Sequence, residues 1–323
     1  MAENLDLSAQ ELNETKYLHF LSGIEGIGNI KIYSLLKLFK SAEAVFNAGL
    51  LELKNTGLLS VNNLKNFDKA RKSSEEAEKR FSKILSHCEK KDIKICSILS
   101  RQYPKNLKPV YDAPVLLYYR GALSAADEFS IGIVGTRTPS EYGKQMCESF
   151  SAEFSKMSIP LISGMAKGID SVCHKTSCRL ENINYAILGC GVDVVYPPEN
   201  KKLYEEVIEC GAIVSEFPPG TFPDKINFPK RNRIISGISL GTIVIESALK
   251  GGALITAGFA NDQGKEVFAV PGDLNSKQSG GTNTLIKRGN AKLVMNAEDV
   301  LVELENKMKN FVKAKNKEEK KVL

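Results

Sequence analysis

From Ile131 onward the sequence repeats one unit, a short apolar run followed by a glycine-bearing loop and a stretch with helical spacing. The runs are Ile131 to Val134, Ile159 to Ile162, Tyr185 to Leu188, Ala212 to Ser215, Thr242 to Ile245, Val267 to Val270 and Lys292 to Met295. Helical segments such as Glu141 to Lys156 and Leu203 to Glu209 fall between nearly all of them. Runs so short and so rich in β-branched residues read as strands buried on both faces. Their alternation with helices predicts an α/β fold built on a doubly wound, mainly parallel sheet. That fold fixes where a ligand can sit, because the carboxyl ends of parallel strands share one edge and the loops that follow them converge there.

The first third of the chain has a different texture. Tyr17 to Phe46 carries apolar residues at helical spacing on either side of Gly23-Ile24-Glu25-Gly26-Ile27-Gly28, which predicts two helices joined by a glycine hairpin. The Gly26-Ile27-Gly28 core, with Lys31 just beyond it, matches the hairpin of helix-hairpin-helix modules, whose backbone amides hold a nucleic-acid phosphate. A small all-helical domain is expected over residues 1–72, and residues 73–102 as a charged connector helix with a first strand. The larger domain follows over 103–305, and a lysine-rich tail, expected to be disordered, over 306–323. No apolar run approaches the ~20 residues of a membrane span. The start has neither the basic nor the apolar section of a signal peptide, so a cytoplasmic protein is expected. Seven cysteines, an odd number without a Cys-x-x-Cys, indicate neither a disulfide framework nor zinc. Cys173, His174 and Cys178 cluster without a fourth ligand, and no metal or cofactor is expected. A net charge of +6 permits nucleic acid without requiring it.

Cations and glycines recur in the converging loops. Gly135, Thr136 and Arg137 follow the first strand of the repeat. Thr138, Pro139 and Glu141 then supply a capping box with a proline start for the next helix. Ser163, Gly164 and Lys167 follow the second strand, ahead of a helix carrying Asp170, and Lys250-Gly251-Gly252 follows a later one. The longest irregular section, Phe217 to Asn232, ends in Lys230, Arg231, Asn232 and Arg233, expected at a helix start with Phe222 and Phe228 nearby. Fixed cations beside aromatic faces suit single-stranded nucleic acid, where phosphates are gripped and bases stack. A dinucleotide enzyme is the natural rival, but Gly132 and Gly135 do not make a G-x-G-x-x-G, and Ser163-Gly164 stands where an acid would hold the ribose. A nucleotide-cleaving hydrolase would need a base such as Glu216 or Glu246, and neither has an evident partner. Glu246 is as readily placed to hold Arg231 or Arg233.

Four stretches in order resemble the DNA-processing protein A (DprA/Smf) family. They are Ile133 to Arg137; Ser163 to Asp170 with His174; Phe228 to Gly237; and Phe268 to Gly272 with Gly280 to Asn283. The resemblance covers about Tyr103 to Leu304. It implies an extended Rossmann fold, preceded by a sterile-alpha-motif-like helical domain. It also implies a non-enzymatic protein that binds single-stranded DNA, forms a homodimer, and loads the RecA recombinase in natural transformation or recombination. By motif, Arg137 and Lys230 are the expected phosphate grips, with Gly135, Thr136, Ser163, Gly164, Lys167, Arg231, Asn232 and Arg233 in the same pocket. The lysine-rich tail stands where many members carry a winged-helix-like domain.

Overall fold

The computed structural model describes residues 7–305; the lysine-rich tail expected to be disordered lies outside them. Six helices come first: α1 (Ala9–Ser22), α2 (Asn29–Phe39), α3 (Ala42–Asn47), α4 (Leu50–Asn55), α5 (Val61–Lys72) and α6 (Ser74–Lys91). Side-chain caps at Ser8, Ser41 and Ser60 satisfy orphan amides of α1, α3 and α5. Lys31 does not point outward from the glycine hairpin. Its Nζ donates to the Gly26 carbonyl (2.9 Å) and to Asn63 Oδ1 (2.7 Å), so the cation fastens the hairpin to α5.

One nine-stranded sheet organises the rest, in the order β1-β2-β6-β5-β4-β3-β7-β8-β9. The strands are β1 (Lys94–Ser97), β2 (Leu116–Gly121), β3 (Ile131–Val134), β4 (Leu161–Ser163), β5 (Asn184–Ile187), β6 (Ala212–Ser215), β7 (Gly241–Val244), β8 (Glu266–Ala269) and β9 (Lys292–Leu293). From β6 across to β9 every pairing is parallel, and β2 joins β6 and β1 antiparallel. The order reverses at β3, whose neighbours are β4 and β7. Their loops therefore flank a crevice. β4 starts at Leu161 rather than Ile159 because Pro160 has no amide for the ladder and contributes only its carbonyl, to Ile131.

The helices that alternate with these strands are α7 (Glu141–Lys156), α8 (Ile169–Arg179), α9 (Lys201–Cys210), α10 (Asn227–Ile238), α11 (Ala253–Asp262) and α12 (Gly280–Lys287). The helical spacing from Ala297 to about Phe311 predicts a last helix; it begins at 297 and reaches 305, and the rest of that span lies outside the described residues. Period two along each strand divides the core. Ile131, Ile133, Leu161, Ile243 and Phe268 pack with Phe150 and Phe154 of α7 and Ile169 of α8. The opposite set, including Val134, Ile162 and Val244, packs with Ile234, Ile235 and Ile238 of α10 and Ala257 of α11. This second cluster continues unbroken through β1 and β2 to Phe81 and Leu85 of α6 and to Leu18 and Leu21 of α1.

Two local expectations shift. The cap of α7 is Ser140, not Thr138: Ser140 Oγ accepts from the Gly143 amide (3.1 Å) and donates to Glu246 Oε1 (2.6 Å). Pro139 thus precedes the helix. Glu246 holds Ser140 rather than Arg231 or Arg233. The irregular section after β6 is also shorter than expected, because α10 begins at Asn227 and winds Phe228 to Arg233 into its first turns. Pro229 is tolerated there because first-turn amides have no intrahelical partner.

Candidate nucleic-acid interface

The loops after β3, β4, β5 and β7 meet the start of α10 around a cleft of 590 Å³. Its walls include Gly135, Thr136, Arg137, Asp170, Tyr196, Lys225, Phe228, Asn232 and Gly251-Gly252. A smaller recess of 70 Å³ between Arg137, Gly164, Lys167, Tyr196 and Phe228 continues it along the same edge.

Arg137 and Lys225 are exposed cations of the cleft. The guanidinium carbon of Arg137 lies 5.9 Å from the Phe228 ring centroid, within cation–π range, and Arg137 forms no ion pair among the described residues. Phe228 packs in turn on Tyr196, with centroids 5.4 Å apart and planes at 33°. Cation and two rings form a graded surface, charged at one end and flat at the other. Gly189 is what lets Phe228 lie so low, since a Cβ there would stand 2.8 Å from its ring. Across the cleft, α11 follows its N-cap residue Gly252 with no side chain capping its first turn, and Gly251 and Gly252 line the wall. The Leu254 and Ile255 amides of its first turn donate to the Gly251 and Gly252 carbonyls (3.1 Å each), so what this helix start offers an anion is its partial positive charge.

Arg231 also reaches the cleft, but as framework. It is 5% exposed; Nη1 donates to the Gly164 carbonyl (2.5 Å) and to the Ile187 carbonyl, and Nε to Asn232 Oδ1 (3.2 Å). It faces the buried Asp170, whose Oδ2 accepts from the Ala166 amide (3.2 Å). Burial pulls the Arg231 guanidinium down to about 10 and pushes the Asp170 carboxyl above its ordinary range, while each charge opposes the shift of the other. Gly164 exists for this pair: an added Cβ would lie 2.6 Å from both Arg231 Nη1 and Asp170 Oδ2.

Several residues expected at the ligand are engaged inside the protein. Gly135 lines the cleft and also leaves room for α8, because its Cβ would fall 2.5 Å from Ile169 Cγ1. The Thr136 amide donates to the Glu246 carbonyl (2.8 Å), and its carbonyl accepts from Ile169 (3.2 Å), so its backbone ties β7 and α8 to β3. Ser163 is fully buried and donates to the Ile133 carbonyl (2.7 Å). Arg233 turns away from the cleft to pair with Asp112 (3.0 Å) and Glu216 (2.6 Å). The helical winding explains the scatter: at 100° per residue, positions 230, 231 and 233 cannot share one face. Lys230 is exposed but off the cleft wall, and Lys167 lines the recess in an exposed ion pair with Glu199 (2.5 Å). Glu216 and Glu246, the candidate hydrolytic bases, are thus committed to Arg233 and Ser140.

Tyr196 and Lys225 are cleft residues that the sequence reading missed. Tyr196 was findable, since it follows β5 and every loop after a strand of this sheet opens on the same edge. Among the described residues, no group of three or more His, Cys, Asp or Glu side chains is placed to hold a metal, and no helix is long and apolar enough to cross a membrane. His174 instead bonds Asn184 Oδ1 through Nδ1 (2.8 Å).

Residues 94–305 match the family model described as DNA recombination-mediator protein A. The chain is 40% identical over 226 residues to DNA processing protein DprA of Bacillus subtilis, a match spanning 70% of this chain and 76% of that protein. It is 40% identical over 207 residues to protein Smf of Escherichia coli, covering 64% of this chain and only 55% of the relative. The X-ray structure of DNA processing protein A from Streptococcus pneumoniae superposes with a TM-score of 0.76 at 32% identity, covering 90% of this chain and 97% of that one. That of Helicobacter pylori, described for its unique single-stranded DNA binding mode, gives 0.59 at 29% identity, covering 66% and 96%.

Proposed function

This chain belongs to the DNA recombination-mediator protein A family, and from that premise we propose that its cleft binds single-stranded DNA through the backbone, with little sequence preference and without cleaving it. The observation that carries the reading is Arg137, a cation without an ion-paired carboxylate among the described residues, lying on the Phe228 ring beside Tyr196 and across the cleft from the start of α11. A phosphate between Arg137 and the partly positive start of α11 leaves its base free to lie on the aromatic pair. Both contacts are blind to base identity. Lys167 and Lys225 extend the basic wall, and Lys230 adds charge outside it. The exposed Lys167–Glu199 pair is worth little in water, so a phosphate can displace the glutamate at small cost.

Two finer parts of the reading rest on the family. The bound strand is handed to the RecA recombinase, and the protein acts as a homodimer. Exposed apolar residues at the β9 edge, Leu293 (46%), Met295 (65%) and Val302 (64%), supply a surface that a second copy would cover.

Titration of labelled single strands, duplex and mononucleotides across a salt series tests the reading. Log affinity for the single strand falls by about 0.7 per phosphate neutralised for each tenfold rise in salt. R137A loses about tenfold or more on all sequences alike, as expected for a charged hydrogen bond worth about 1.5–3 kcal/mol. Its salt slope also becomes shallower. Equal affinity for duplex, or an R137A variant that binds like the parent, overturns the site; base released from nucleoside monophosphates overturns the non-catalytic assignment.

A further inference from the structure

Five of the seven cysteines are sealed in the core. Burial pushes the thiols of Cys88, Cys96 and Cys173 up to about 12 and that of Cys190 to about 11, and Cys147 is raised as well. Cys178 and Cys210 differ. Both are half-buried, at the C-terminal ends of neighbouring helices α8 and α9, and their sulfurs lie 2.9 Å apart. Asn184, the first residue of β5, donates from Nδ2 to Cys210 Sγ (3.1 Å) and Cys178 Sγ (3.5 Å). The same amide side chain is held from behind by His174, so its donor end is fixed on the sulfurs.

We propose that Cys178 and Cys210 are a reactive dithiol that hydroperoxides oxidise to an intramolecular disulfide joining α8 to α9. A disulfide is about 2.05 Å long, so the sulfurs have only a short distance left to close. The roles are unequal. Cys210 accepts hydrogen bonds from Cys178 and Asn184, which hold its thiol below the ordinary range, whereas Cys178 is pushed up by the bond it donates. Cys210 is therefore the attacking thiolate and Cys178 the resolving thiol. The Cys210 sulfur takes one oxygen of the hydroperoxide as the O–O bond breaks, giving a sulfenic acid and the corresponding alcohol, or water when the oxidant is hydrogen peroxide. The Cys178 sulfur then attacks the sulfenic sulfur and the S–O bond breaks, releasing water. The two thiols supply the two electrons and two protons that reduce the peroxide. Asn184 is a positioning residue for this step. The loop closed by the bridge contains β5, the turn bearing Tyr196 and α9, so oxidation fixes the segment that forms one wall of the cleft.

The test exposes the full-length reduced protein to hydrogen peroxide, alkylates it and maps its tryptic peptides. The expected product is the monomeric chain lighter by two hydrogens, with peptide 176–179 joined to peptide 203–225 and five of seven cysteines still alkylated. Dithiothreitol restores all seven. C178S abolishes the cross-link and leaves Cys210 to accumulate sulfenic acid, trapped by dimedone, while C210S abolishes both products. Peptide mapping of the unsubstituted protein decides the matter even where a variant folds poorly. Full alkylation after peroxide, a bridge between any other pair, or a bridge only between chains overturns the proposal.

Discussion

Arg137 and Arg231 are the same residue type on one cleft, yet burial gives them opposite work. Arg137 is exposed and lines the cleft, so its loss is expected to register in the proposed DNA binding. Arg231 is locked onto two carbonyls and faces a buried carboxylate; R231A leaves Asp170 without its counter-charge and is expected to cost about 3–5 kcal/mol of stability. Thermal unfolding of the two variants separates them: R231A melts well below the parent, and R137A melts with it. A second buried group sets the acid limit. His174 is fully buried, and desolvation pulls its pKa from 6.5 down to about 4. A base whose folded pKa is depressed stabilises the fold above its unfolded pKa, and that stability drains away as pH falls from 6.5 toward 4. By pH 4.5 the loss attributable to His174 is about 2–3 kcal/mol. Chemical denaturation at pH 7 and pH 4.5 checks it. H174Q, which cannot titrate, shows the smaller drop, and what remains includes His19, also drawn down to about 4 by burial and the nearby Arg80 charge. The sequence displays such cations and histidines openly but not their burial. Arg231 and Arg233 read there as ligand contacts, and only the path of α10 reveals them as internal struts.

At the scale of elements, the strands were the most legible part, because apolar runs of four residues admit few alternatives; Pro160 delays β4 by two residues, β5, β7 and β8 each start one residue earlier than read, and β9 is shorter. Element starts were harder. Thr138 and Ser140 offer the same hydroxyl two residues apart, and the choice between them is made by Glu246, which reaches over from the end of β7. No local rule contains that partner. Ser140 therefore does two jobs, capping α7 and satisfying a carboxylate that is 2% exposed. S140A removes the cap, worth about 1 kcal/mol, and leaves part of a buried carboxylate unpaired, which adds about 1–3 kcal/mol. The expected loss exceeds that of an ordinary cap. Since α7 starts just after Arg137, DNA affinity should fall as well, and S140T should restore both. A destabilisation no larger than a cap alone, measured by denaturant titration, would show that Glu246 finds water instead. The same reasoning applies to the loop after β6, which is proline-rich yet held: Asp193 accepts from the Gly220 amide (2.8 Å) and bonds His87 of α6 (2.8 Å).

At the scale of the molecule, composition distinguished helical first third from α/β remainder but left open how the two meet. They meet through apolar surface. Leu18 and Leu21 of α1 belong to the same buried cluster as Val134, Ile162 and Ala257, and α1 touches both β1 and β2. The antiparallel pair β1-β2 makes this possible, since it carries the sheet outward from β6 to a place where helices can cover it. Leu117 and Tyr118, on opposite faces of β2, are both buried. A core continuous across the junction predicts one cooperative transition rather than two. Leu18→Ala, a truncation at a fully buried position, should cost about 2–5 kcal/mol. That cost should be felt in the sheet as much as in the helices. Guanidinium titration followed at once by far-UV circular dichroism and by exposure of the thiols of Cys147 and Cys173, which lie against the far face of the sheet, provides the comparison. Coincident curves that shift together in L18A are expected. Two separated transitions, with L18A moving only the one that leaves those thiols protected, would mean that the helices are a unit merely resting on the sheet.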